Sequence, residues 1–173
     1  SDKPDELKKD FIVENGIAKG IDFNLKYEYK KVYLWFVYSI GFVDRFDGND
    51  EYMPSFDRRH NVNIVASYTF GKDLLWELNS RLNYGSGFPF TPTQGFYPYQ
   101  NFSQGVNTNY NSSNGQLGII YGELNANRLP DYARLDLTLK RTFVLSSRSN
   151  LEATASVINL LNRQNIFYFN RVT

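Results

Sequence analysis

Covalent catalysis by the common nucleophile and base pairs needs an imidazole beside a thiol or hydroxyl, and this chain has one histidine, His60, and no cysteine. His60 would have to work with a distant serine. It sits in the run Asp57-Arg58-Arg59-His60, where a polar cluster at the end of a strand is the plainer role, so it is given neither a catalytic nor a metal-binding duty. Two acids, Asp131 and Asp136, offer the spacing of a hydrolytic carboxylate pair. Arg134 lies between them and would pair with either, keeping both ionised, so a structural ion pair is the better reading. The missing thiols also exclude disulfides and thiolate zinc sites. With 19 Lys and Arg against 18 Asp and Glu, there is no basic excess to hold a nucleic acid. The expectation is a non-enzymatic protein with no cofactor and no metal.

Binding chemistry is better represented. Between Gly85 and Asp131 the aromatics Phe88, Phe90, Phe96, Tyr97, Tyr99, Phe102 and Tyr110 are scattered among Asn, Gln, Ser and Gly. Ring faces beside amide and hydroxyl groups suit a sugar, a peptide or a siderophore, because they combine apolar contact with adaptable hydrogen bonds. The competing reading is that these rings pack the loop on itself as a lid. Gly85, Gly87, Pro89 and Pro92 are expected to shape the exit from a strand rather than touch a ligand. Two glycosylation sequons, Asn101-Phe102-Ser103 and Asn111-Ser112-Ser113, are read as chance matches.

The elements that must position these residues are strands. Six segments alternate apolar and polar residues with period two, each about ten residues long, the length a tilted strand needs to cross a bilayer. The first puts Ile17, Ile21, Phe23, Leu25, Tyr27 and Tyr29 on one face. The next runs from Val32 to Phe42, with Tyr33, Trp35 and Val37 blurring its polar face. Clean alternation then follows in Asn61–Phe70, Trp76–Tyr84 and Ala133–Phe143, and a last segment begins at Leu151 and breaks between Asn159 and Asn165. Connections alternate between short (Lys30-Lys31, Gly71 to Leu74, Leu145 to Asn150) and long (Asp44 to Arg59, Gly85 to Asp131). Outer-membrane barrels have this asymmetry, with tight turns on one rim and large loops on the other. Tyr27, Tyr29, Phe70, Trp76 and Phe143 fall near the short turns and Phe42, Tyr84 and Tyr132 near the long loops, as two interfacial girdles would require. Ordinary hairpin aromatics of a soluble β-protein are the alternative. The mean hydropathy of −0.46 does not argue against a membrane, since half of each barrel strand faces a polar lumen. The expected fold is all-β: an antiparallel up-and-down transmembrane β-barrel segment of about six strands.

Four runs carry a resemblance: Asp57-Arg58-Arg59-His60-Asn61, Tyr84-Gly85-Ser86-Gly87-Phe88-Pro89-Phe90-Thr91-Pro92, Arg128-Leu129-Pro130-Asp131-Tyr132, and Asn159-Leu160-Leu161-Asn162-Arg163-Gln164-Asn165. In this order, from Asp57 onward, they resemble the distal barrel of TonB-dependent receptors, most closely the versions of Bacteroidetes-type bacteria. The resemblance implies a barrel of about 22 strands with a plug inside it, of which residues 1–173 would be a part lacking the plug and the final strand. It also implies a Gram-negative outer membrane, contact with lipid, with the TonB complex through the plug, and with a surface lipoprotein as a further candidate partner. The cargo would be a siderophore, glycan, peptide or vitamin, with no nucleic acid. Under it, Asp57, Arg58, Arg59, His60, Arg81, Asp131, Arg134 and Asp136 are expected as a polar network in the lumen. Asp22, Lys26, Glu28, Glu77 and Lys140 would form ladders across neighbouring strands. Two alternatives stay open: another outer-membrane barrel acting as adhesin or passive channel, and a secreted soluble β-sheet protein binding carbohydrate.

Overall fold

A computed structural model describes residues 14–98 and 117–168. The chain forms β1 (Asn15–Tyr29), β2 (Val32–Phe46), β3 (Glu51–Tyr52), β4 (His60–Phe70), β5 (Trp76–Gly85), β6 (Pro89–Phe90), β7 (Thr93–Pro98), β8 (Leu117–Tyr121), β9 (Asn127–Arg128), β10 (Tyr132–Ser146) and β11 (Ser149–Val157). All pairings are antiparallel. The main sheet has the order β1-β2-β4-β5-β10-β11, so each long strand lies beside its neighbour in sequence, with β3 folded back on the end of β2. The six expected segments are these six long strands. Three are longer than their alternation suggested. At 15 residues each, β1, β2 and β10 extend about 50 Å.

The turns between long strands follow from residues that accept unusual backbone. Lys30 takes φ 49° in the tight β1–β2 turn. Gly71, at φ 84°, starts a 3-10 turn over Lys72–Leu74, and a Cβ there would lie 2.9 Å from the Trp76 ring. The β10–β11 connection narrows to Ser147-Arg148, because a register shift between Val144 and Ser146 lets pairing continue to Ser146 and Ser149. The long connections are not bare loops. The one after β5 carries two small ladders, β6 with β9 and β7 with β8.

Register sorts the side chains into two faces. One face is greasy and the other wet. Leu25, Phe36, Ile64, Leu82 and Leu135 stand directly opposite one another across five strands, a continuous apolar row. The next residues along, Asn24, Val37, Asn63, Asn83 and Arg134, make a row on the opposite face. Intruding rings on the wet face have polar handles: Trp35 donates its indole N–H to Asn24 Oδ1 at 2.9 Å, and the Lys26 ammonium lies over the Tyr33 ring. At the short-turn end of the apolar face, Tyr68, Phe70 and Trp76 stack in series, and Arg141 lies over Trp76 and Phe143. Arg141 is a charge in an apolar row, and its guanidinium is accommodated on ring faces.

Among the described residues no second layer covers this sheet. Contacts between elements run between hydrogen-bonded neighbours and along the β4–β5 turn. Ile17 and Ile21 are 70% and 72% exposed, and β1 and β11 are exposed along their whole length. The sheet does not close within the described chain, since β1 and β11 each have one partner.

Candidate functional site

The buried residues gather at the long-loop rim. They are Pro54, Asp57, Gly85, Ser86, Gly87, Pro89 and Ala133. Here three of the four sequence runs meet, joined by hydrogen bonds between segments far apart in the chain. Asp57, 1% exposed, accepts from Arg59 Nε at 3.0 Å, from Arg128 Nη2 and from the Val43 amide. Burial favours the neutral form of this acid, but the hydrogen bonds from Arg128, Arg59 and Val43 outweigh it and hold the carboxyl below the usual aspartate range. Arg128 also donates to the carbonyls of Asp57 and Gly87, and both Arg59 and Arg128 reach the Met53 sulfur. The loop before β4 is thereby fastened to the loop before β10.

Strand exit and strand entry are locked in the same way. Ser86 donates its amide to the His60 carbonyl and accepts the His60 amide on Oγ, continuing the β4–β5 ladder past its end. Asp131 accepts from the Tyr84 hydroxyl at 2.6 Å and from the Gly87 amide at 3.1 Å. Those two donors, the hydroxyl foremost, lower its pKa against the opposing effect of burial. The fourth run joins from the other side. β11 stops at Val157, and Leu160 N then donates to the Leu135 carbonyl while the Asn165 side chain bonds both the amide and the carbonyl of Ala133. One side-chain amide thus stands in for a strand residue along the upper edge of β10.

Above this knot lies a cavity of about 680 Å³ lined by Phe56, Phe88, Pro89, Phe90, Leu129 and Phe167, with Ser55, Thr91, Asn125 and Tyr168 at its border. Below it, on the wet face, a second cavity of about 410 Å³ is lined by Arg58, Arg81, Arg134 and Asp136 with Asn61, Asn63 and Asn83. Arg58 links the two. Its guanidinium lies 4.2 Å from the Phe88 ring centroid and 5.9 Å from that of Tyr132, whose ring packs against Phe167 at 5.4 Å. A Cβ on Gly85 would come within 2.6 Å of the Arg58 head, so glycine is what lets the arginine lie flat across the end of β5. Arg58 Nε is buried without a hydrogen-bond partner, and desolvation lowers the pKa of the group.

The structure divides the residues expected to act together. Phe88 and Phe90 line the upper cavity. Phe96 and Tyr97 lie on β7, paired with β8, and are not among its lining residues, while Tyr99, Phe102 and Tyr110 lie outside the described residues. Of the expected lumen network, Arg58, Arg81, Arg134 and Asp136 share the lower cavity. Asp57 and Arg59 belong to the rim knot instead, since their ion pair satisfies the buried acid there. His60 departs from the expected lumen placement: its register opposite Ile40 sets it in the apolar row, where it stacks on Tyr38 and shares a 2.9 Å hydrogen bond with the Tyr38 hydroxyl. Asp131 departs likewise, held by Tyr84. Tyr132, expected in the outer girdle, stands opposite Gly85 in the row of Arg134. Arg134 pairs with Asp136 at 2.9 Å, and Asp131 is held elsewhere, so the two acids share no site. Phe56, Leu129, Phe167 and Tyr168 were missed as cavity residues. Phe167 and Tyr168 had one signal, the break in alternation after Asn159, which marks a turn that carries them back to the rim. Among the described residues no cluster of three His, Asp or Glu is placed to hold a metal ion.

The arrangement offers ring faces above and guanidinium groups below. Comparison with protein-family models, with curated proteins and with solved structures gave no match.

Proposed function

We propose that this chain is part of the wall and capture surface of a TonB-dependent outer-membrane barrel that takes up a nutrient, without catalysis. The supporting observation is the sheet itself: a single antiparallel layer, up-and-down, with an apolar row that nothing among the described residues covers on one side and a polar row on the other. In water such a face would be a large aggregation patch, whereas in hydrocarbon it is solvated. The open edges of β1 and β11 fit the same reading, since lipid tolerates a sheet only when its ends are paired into a cylinder, here by further strands up to about 22 in all. The meeting of the four runs at one rim adds to it. These runs carry the family resemblance, and they build one object in space. The aromatic cavity at that rim is the part of the capture surface present here, and the polar row is the lumen wall a plug would contact.

The absence of cysteine makes the test clean. Single cysteines at Leu25, Ile64 and Leu137, and at Asn24, Asn63 and Thr138, would be probed in outer-membrane vesicles with a membrane-impermeant maleimide after opening the lumen with mild denaturant. The second set is expected to label and the first to stay protected. Equal labelling of both rows, or recovery of the protein as a detergent-free soluble monomer, would sink the barrel and favour a secreted carbohydrate-binding sheet. Uptake that persists in cells lacking TonB would leave a passive channel.

A further inference from the structure

The two cavities differ in chemistry and touch through Arg58, which lies over Phe88, and Tyr132, which packs on Phe167. Ring faces and Leu129 line the upper space, while the lower one holds Arg58, Arg81 and Arg134 against a single acid, Asp136. Three cations less one anion leave two positive charges unmatched. Arg134 is occupied by Asp136. Arg81 stands opposite Asp136 in the register and acts on it at longer range, without a direct ion pair among the described residues, and Arg58 has its buried Nε unpartnered. A buried guanidinium nitrogen without an acceptor is costly, and such a group is retained in the folded state most economically when something else supplies the acceptor.

We propose that the ligand captured at this mouth carries an oxyanion: an apolar or ring face seats against Phe88, Phe90 and Phe56, and a carboxylate reaches down to Arg58 and Arg81. The planar fork of a guanidinium matches a carboxylate in two-point contact, and the flanking Asn61, Asn63 and Asn83 amides can hydrogen-bond hydroxyls beside it. Phe88 has a double part here, offering one face of its ring to the Arg58 head and lining the cavity that takes the apolar portion. A neutral ligand would leave the half-buried Arg58 guanidinium without a counter-charge. Acidic saccharides and ring-bearing carboxylic acids have the required combination. The inference rests on the capture-surface reading given above and narrows it to one charge class.

Two fluorescent probes that differ by the carboxylate alone, methylumbelliferyl glucuronide and methylumbelliferyl glucoside, test it on the full-length protein in detergent micelles. The glucuronide is expected to bind about tenfold tighter or more, with the difference shrinking as salt is raised. Arg81→Gln, a substitution of an exposed side chain, is expected to cut that preference to about threefold. Arg58→Gln is expected to abolish it, and Arg58→Lys to restore part of it, because the charge returns without the fork. Equal affinity of the two probes would overturn the charge preference, and so would a preference that survives both glutamine variants. If neither probe binds, the mouth is no such site. Those failures are separate from failure of the barrel reading, which the cysteine-labelling pattern reports by itself.

Discussion

At the rim, Asp57 is 1% exposed and held by three donors, while on the wall Ile17 and Ile21 are more than two-thirds exposed. The rim has its own interior, a polar one. It is closed by hydrogen bonds between loops, so its order depends on the chain alone. Among the described residues the wall has no interior. Its backbone is satisfied strand to strand, but the side chains of both faces are left to whatever medium adjoins them. Rim substitutions should therefore act through steric fit and buried charge, and wall substitutions through the surroundings.

Glycine offers the largest contrast. A Cβ at Gly87 would overlap the carbonyl oxygen of Leu129, a backbone atom of the segment that pairs β9 with β6, whereas a Cβ at Gly41, in β2 on the wall, meets nothing within 4 Å. Gly87→Ala is expected to destabilise by about 3 kcal/mol or more, because two backbone segments must separate, and Gly41→Ala to change stability by less than about 0.5 kcal/mol. Urea unfolding of the protein extracted in detergent measures both. Similar midpoints for the two variants would break the contrast between a packed rim and an open wall.

Buried charge comes next. Asp57→Asn leaves Arg59 and Arg128 facing each other without the carboxylate, an expected loss of about 3 kcal/mol. The same acid gives the rim a pH dependence. Its folded pKa is depressed, so its contribution is fully present above the pKa of the unfolded chain, about pH 4, and disappears as pH falls through the lower folded value. Acid should loosen the rim first. Limited proteolysis below about pH 4 is expected to cut between Met53 and Arg59 while the strands stay protected, since they are held by backbone ladders that do not titrate. Cleavage at the two places together would show that rim and wall are one cooperative unit.

The wall was the legible part of the molecule. Each position in the row Leu25, Phe36, Ile64, Leu82 and Leu135 announces its face by local alternation, a signal that needs no knowledge of the partner strand. Alternation failed where strands run past the membrane-length segment: β2 continues through Asp44 and Arg45 to Phe46, carried by pairing with β1 and β3 rather than by its own pattern. The rim was legible as motifs and not as geometry. Asp57 and Arg128 are 71 residues apart, and nothing local in either run says that they meet. His60 shows the same limit. Its neighbours Arg58 and Arg59 suggested a polar cluster, but one step of register set it in the apolar row beside Tyr38. Long-range pairing decided those cases, and it depends on loop lengths that composition does not encode.

The smallest expected effect tells most about what lies against the wall. Glu77 and Lys140 face each other across β5 and β10 with a 2.8 Å contact, their side chains about one-third exposed. In a water-filled lumen an ion pair of this kind should contribute about 0.5 kcal/mol, by a double-mutant cycle of Glu77→Gln and Lys140→Met, and should weaken as salt is raised. A plug packed over the polar face would change both readings. Water would be displaced, the local dielectric would fall, and the coupling would grow toward about 2 kcal/mol and lose its salt dependence. Performing the cycle on the native protein, and again in denaturant mild enough to leave the sheet intact, therefore reads the medium on that face directly. A coupling that is weak and salt-sensitive in both states places water there throughout. A coupling strong only in the native protein makes the polar rows of the sheet a seat for another packed segment.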